Sequence, residues 1–228
     1  VPQGLRSTVQ SVVMPLSHEP VLPRDRALVA AVAAAAAVFL LYGLGGYAGN
    51  LLTWEPSVVS GFEKGLQGGV SPWRWTAEAF LWDDGLLSAG HTSLFYGSPT
   101  YALFLTVGIG PATLRFAAVL AAVLSIPLGA LTASRLLGPR AAVPAAFLVA
   151  LSPPLLFYAR YGTSVSGMLL SSWIAFAATL LVLTVERPRV RHGLAAAGAL
   201  YLATLQYAPV RLLVLYLLAF LAGDLLLR

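Results

Sequence analysis

Ala27 through Tyr47 is an unbroken run of about 21 apolar or glycine residues, with no charged or amide side chain in it. A helix needs about 20 such residues to cross the hydrocarbon core of a bilayer, whereas the apolar part of a secretion signal is only about 7–15 residues long. The run therefore reads as a first membrane-spanning helix. Further apolar runs follow at about 111–134, 141–159, 165–185, 193–208 and 210–227, separated by short charged or proline-containing turns. Pro209 marks either a tight hairpin or a kink within one bent pair. No internal repeat and no linker divides the chain. The expected fold class is all-α, a polytopic integral membrane protein of about six transmembrane helices.

Composition agrees with that class. The chain is 58% hydrophobic and 10% charged, where soluble domains carry about 25% charged residues. The net charge is +5, but the basic residues are scattered at the ends of apolar runs instead of gathering on one face, which argues against nucleic acid as a partner. The bilayer is the partner that they fit. Without cysteine, neither a disulfide framework nor a thiolate metal site exists.

In chain order, residues 1–26 form a tail in which Pro2, Pro15, Pro20 and Pro23 oppose a long helix. Residues 27–228 form the transmembrane domain, and about 48–110 is its first outer loop. That loop holds Glu55, Glu63, Glu78, Asp83 and Asp84, with Trp73, Trp75 and Trp82 close together. Gly68-Gly69 breaks it, Ser71-Pro72 suits a helix start, and the tryptophans suit short helices lying in the membrane interface. Tyr101–Gly110 is apolar but too short to span. The chain begins without methionine and stops at Arg228 directly after an apolar run, so we expect a piece that is incomplete at its C-terminus.

Orientation follows from arginine. Arg24 and Arg26, then Arg135 and Arg140, then Arg187, Arg189 and Arg191, and finally Arg228 all fall on one side if six spans alternate. Cytoplasmic loops collect Lys and Arg, so that side is the cytoplasm. The expected location is the cytoplasmic membrane, with the N-terminal tail inside and the Asp83-Asp84 loop outside.

Three arginines depart from this distribution. Arg115, Arg160 and Arg211 each sit at the outer end of a span, where arginine either snorkels, pairs with loop carboxylates or grips an anion such as a lipid phosphate. Asp83-Asp84-Gly85 has two readings as well. Asp84 suits the cap of a helix through Leu86–Ser93, while two like charges beside apolar surface raise one carboxyl pKa toward that of a general base. His91 lies about two helical turns beyond Asp84 and suits either a structural hydrogen bond or proton transfer. Asp83, Asp84 and His91 match no recognised metal spacing, so no cofactor is assigned and a divalent metal has only weak support. Charges avoid the span midpoints, which disfavours a transporter.

Taken together, Leu81-Trp82-Asp83-Asp84-Gly85, Ala112-Thr113-Leu114-Arg115-Phe116, Ser134-Arg135-Leu136-Leu137-Gly138-Pro139-Arg140, Leu151-Ser152-Pro153-Pro154 and Tyr158-Ala159-Arg160-Tyr161-Gly162 resemble the GT-C class of membrane glycosyltransferases, in its protein mannosyltransferase and aminoarabinose transferase branch. The resemblance covers roughly residues 27–185. It implies a polyprenyl-phosphate sugar donor, an acceptor on the outer face, and inversion by direct displacement. It further implies Asp83 or Asp84 as general base, with Arg160 and Arg115, joined by Arg211 and Tyr161, holding the donor phosphate. Departures are the Asp-Asp pair where many members have Asp-Glu, the absence of an acid in Thr163-Ser164-Val165-Ser166, a longer loop before Asp83, and fewer spans. The alternative is a non-catalytic transmembrane subunit of a larger membrane complex with a degenerate fold of this kind.

Because the chain has no cysteine, single introduced cysteines report sidedness directly. Thr92→Cys is expected to react with a membrane-impermeant maleimide in intact cells, and Arg140→Cys only after permeabilisation. The reverse labelling would invert the orientation.

Overall fold

A computed structural model of the chain describes residues 19–42, 97–160, 164–184, 190–204 and 213–219, with a few isolated positions besides. Among these residues the protein is all-helical, with no strand. The expected all-α class is met.

Helix α1 is Pro23–Leu41. It starts four residues before the expected Ala27, so the tail ends earlier than residue 26. The reason is Pro23 itself. At the first helical position its missing N–H is not needed and its fixed φ suits the helix, while Asp25 places a negative charge in the first turn, where the helix dipole favours it. Helix α2 is Gly97–Val107, a short helix whose buried face is Gly97, Thr100, Tyr101 and Phe104. The earlier part of the expected outer loop, with its proposed interfacial helices, lies outside the described residues, save that Gly68-Gly69 does form a turn, with Gly69 at φ +64°.

Helix α3, Pro111–Leu137, follows a turn in which Gly108 takes φ +100°. The Thr113 hydroxyl closes this turn. It accepts from the Gly110 N–H at 3.0 Å and lies 3.0 Å and 2.8 Å from the Gly108 and Gly110 carbonyls. Gly138, at φ +95°, ends α3. A single 3-10 turn, Pro139–Ala141, leads into α4, Ala142–Ala150, and then α5, Pro153–Arg160.

The expected single span over 141–159 is thus two helices, bent by 47°. Pro153 and Pro154 have no N–H to continue α4, and the residue before a proline is pushed away from helical backbone. Ser152 closes the break by donating its N–H and hydroxyl to the Val149 carbonyl at 3.2 Å and 2.9 Å. Helix α6, Ser164–Thr184, matches its expected run, and α7, Val190–Thr204, starts three residues early. Residues 213–219 are helical.

Helix α3 is the hub, packing against α1, α2, α4, α5 and α6, while α6 carries α7. Val29, near the start of α1, clusters with Ile126 and Ala130 late in α3, whereas Leu40 at its end clusters with Val119 and Ala122. The two helices are therefore antiparallel. Hydroxyls inside the bundle turn back on their own helices, as Ser125 does to the Ala121 carbonyl at 2.9 Å and Thr179 to that of Ala175 at 2.8 Å, so they add little polarity to the core. The outward faces are apolar too: Phe116, Leu120, Leu124 and Leu131 form an exposed stripe along α3.

Among the described residues, by length and composition, α3 is the one helix that can cross a bilayer, and the bent α4–α5 pair makes a second span if counted as one. Helix α1 carries Arg24, Asp25 and Arg26 in its first turn, which leaves only Ala27–Leu41 apolar within it.

Among the described glycines, Gly129 marks the tightest approach. A Cβ there would lie 2.7 Å from Val149 Cγ2 and 3.5 Å from the Trp173 ring. Valine is stiff at χ1 and cannot swing aside. Gly129→Ala is expected to cost about 1–3 kcal/mol in thermal unfolding in detergent, with Val149→Ala restoring much of the loss in the double variant.

Candidate functional site

Arg115 and Arg160 are the candidate residues that fall among the described ones. Asp83, Asp84, His91, Tyr161 and Arg211 lie outside them.

Arg115 occupies the second turn of α3, where the Gly108–Thr113 turn sets its height. It is only 1% exposed and is the largest of the fully buried side chains. Snorkelling, one of the readings open from sequence, is therefore excluded for Arg115, since protein encloses its head group. Nor is the side chain free, because it is engaged by further interactions within the chain. An arginine keeps its charge, and a charge taken out of water costs several kcal/mol unless acceptors surround it. This position is consequently one where the fold holds a positive charge in an apolar frame.

Arg160 closes α5 and is half-buried. Its Nη2 donates to the Phe39 carbonyl at 3.1 Å, and its guanidinium carbon sits 4.4 Å from the centre of the Phe39 ring. The chemistry is that of a helix end. The last four carbonyls of a helix lack intrahelical donors, and basic groups are favoured there. The last turn of α1 has no basic residue of its own, and the Tyr42 N–H serves only the Val38 carbonyl. Arg160 thus caps α1 from 121 residues away and adds a cation–π contact.

The two arginines share one end of the bundle. Arg115 lies one turn before Val119, and Arg160 directly follows Ala159. Val119 and Ala159 belong to the same apolar cluster as Leu40 at the end of α1. Arg26 and Arg135 stand at the opposite end, lining one cavity. Tyr101 is a further residue near this site's framework that the sequence reading passed over as part of an apolar segment. It is fully buried on α2, which packs on α3, and burial pushes its phenol above the ordinary value. Its signal in the sequence was a hydroxyl at helical spacing between Gly97 and Phe104, on the buried face.

Among the described residues no group of three or more acidic, histidine or cysteine side chains gathers to hold a metal. What the arrangement offers chemically is two arginines, one buried and one half-buried, at the same end of an apolar bundle. No protein-family model matches the chain, and neither a curated protein nor a solved structure matches it.

Arg160→Ala is expected to lower unfolding stability more than Phe39→Ala costs through this pair alone, since the former loses both the carbonyl bond and the ring contact. A double-variant cycle of the two should return a coupling of about 0.5–1 kcal/mol. A coupling of zero would mean that the ring contact contributes nothing.

Proposed function

We propose that this chain is the membrane part of a GT-C-like glycosyltransferase, with about six spans, its N-terminus in the cytoplasm and the Asp83-Asp84 loop outside. The outward apolar stripe of α3 supports a bilayer as surroundings, since a solvated helix would carry polar residues there. The antiparallel α1 and α3, with Arg26 and Arg135 at one end and Arg115 and Arg160 at the other, support the sidedness.

The observation that carries the reading is the burial of Arg115 at the same end as Arg160. In the proposed site Arg160, half-buried at that end, would meet charge that grows on a departing phosphate, with Arg115 adding its field from the protein interior behind it. In the proposed reaction the acceptor oxygen attacks the anomeric carbon of a polyprenyl-phosphate sugar from the face opposite the phosphate. The bond from that carbon to the phosphate oxygen breaks, and its electron pair leaves with the phosphate. Asp83 or Asp84 takes the acceptor proton, and Arg115, Arg160, Arg211 and Tyr161 hold the phosphate. His91 serves as acceptor contact or proton relay.

One observation favours a second reading. Arg160 already serves α1 through Phe39, as it would in a non-catalytic subunit whose arginines only brace the bundle.

Transfer from a polyprenyl-phosphate sugar by the full chain, in the membrane that it is expressed in, separates the two. Replacing the base, by Asp83→Asn or Asp84→Asn, is expected to lower kcat by about 10²–10⁴. Arg115→Gln is expected to weaken donor use as well. Transfer that both aspartate variants leave undiminished removes the proposed base, and a chain that transfers nothing but co-purifies with partner subunits is the second reading.

A further inference from the structure

At the end of the bundle away from Arg115 and Arg160, α1 and α3 part to leave a cavity of about 570 Å³. Its cause is the choice of side chains. Ala30 and Ala33 on α1 face Ala130 and Pro127 on α3, so small residues meet where leucines would close the gap. Val29, Val123, Leu124 and Leu131 complete apolar walls. Where the start of α1 meets the end of α3 the lining turns polar, with Glu19, Arg26, Ser134 and Arg135, and we take this as its mouth.

Arg26 donates its Nε to the Val21 carbonyl at 3.0 Å, which orients the guanidinium and leaves the N–H groups on both Nη atoms. Arg135 is half-buried. Among the described residues no ion pair joins Glu19 to either arginine. The mouth therefore carries two cations and one anion, a net +1, above an apolar slot.

We propose that this cavity binds one glycerophospholipid of the inner leaflet with a singly negative, hydroxylated headgroup, its phosphate at Arg26 and Arg135 and one acyl chain between α1 and α3. The proposal rests on the reading that these helices span a bilayer with Arg26 and Arg135 on the cytoplasmic side. Charge selects the headgroup: one phosphate at −1 neutralises the mouth, and a headgroup hydroxyl donates to the Glu19 carboxylate. Arginine suits the phosphate through paired N–H donors. Shape selects the tail, since a walled slot of alanine, valine and leucine beside α3 matches a hydrocarbon chain. Occupancy would complete the packing that Ala30 and Ala33 leave open, and so stabilise the α1–α3 pair.

The test uses the full chain, first assayed for resistance to carbonate extraction from membranes. A chain that extracts fails the bilayer reading itself. A chain that resists is purified in detergent and titrated with phosphatidylglycerol, phosphatidylcholine or inorganic phosphate, following melting temperature and bound lipid by native mass spectrometry. Phosphatidylglycerol alone is expected to raise the melting temperature and to be retained. Arg26→Gln with Arg135→Gln should weaken that binding about 30-fold, from about 1 kcal/mol per arginine near a lipid surface. Ala30→Phe, which fills the slot and leaves the mouth intact, should abolish retention without unfolding the chain. Equal stabilisation by phosphatidylcholine makes the slot a general apolar groove and overturns the headgroup assignment. Equal stabilisation by inorganic phosphate overturns the lipid, and no stabilisation by any of the three overturns the site.

Discussion

Close approach of small residues along α3 is the constraint on which the rest of the bundle depends. In the bilayer proposed above there would be little difference in hydrophobicity to drive helix association, and contact would come from van der Waals fit where backbones can draw near. Helix α3 supplies that surface on several sides at once. Ala117, Ala118, Ala121 and Ala122 are buried toward its start, and Gly129 and Ala130 toward its end, where Val149 and Trp173 close on the glycine. Five other helices rest on this one rod. Its length also fixes the separation between the end that holds Arg115 and the end that holds Arg135.

Helix existence was legible in the sequence because apolar length alone decides it in a chain of this composition. The runs at 111–134 and 165–185 reappear as α3 and α6 within a few residues. Boundaries were less legible, for reasons that single residues explain. Pro23 reads as a breaker by composition, yet at a first helical position it is a starter. Pro127 and Pro153 look alike in a list of prolines, but one stands alone inside a helix packed on many sides, and the other begins a pair after a serine that can cap the break. The 47° bend needed that local chemistry, and the average hydropathy of residues 141–159 conceals it.

The candidate site was legible in part. Arginines at the outer ends of apolar runs stand out, and their grouping at one end of the bundle follows from alternation of the spans. Their surroundings did not follow. Burial of Arg115 depends on what packs around the start of α3, which is a tertiary fact. Phe39 as the partner of Arg160 lies in a run where every residue looks equally apolar, and its carbonyl becomes special only because α1 ends at Leu41. A helix without a basic residue in its last turn, followed far along the chain by an arginine at another helix end, is the pattern that such a cap leaves in sequence.

The dual position of Arg160 bears on how the site would work. A helix C-terminus presents roughly half a negative charge, spread over several carbonyls, whereas a lipid phosphate presents at least a full one. The Phe39 carbonyl engages one N–H of Nη2, and a guanidinium has five in a fixed plane. The cap therefore helps to hold the plane of the group. Stacking on the Phe39 ring does the same from the face. A positioned arginine whose orientation is set by its own chain is the arrangement that transition-state stabilisation requires, because rotamer freedom has been removed before substrate arrives. Bracing of α1 is the role that these contacts display, and binding of phosphate belongs to the proposed reaction, which the same orientation would serve. Phe39, through its carbonyl and its ring face, sets the angle of the Arg160 guanidinium.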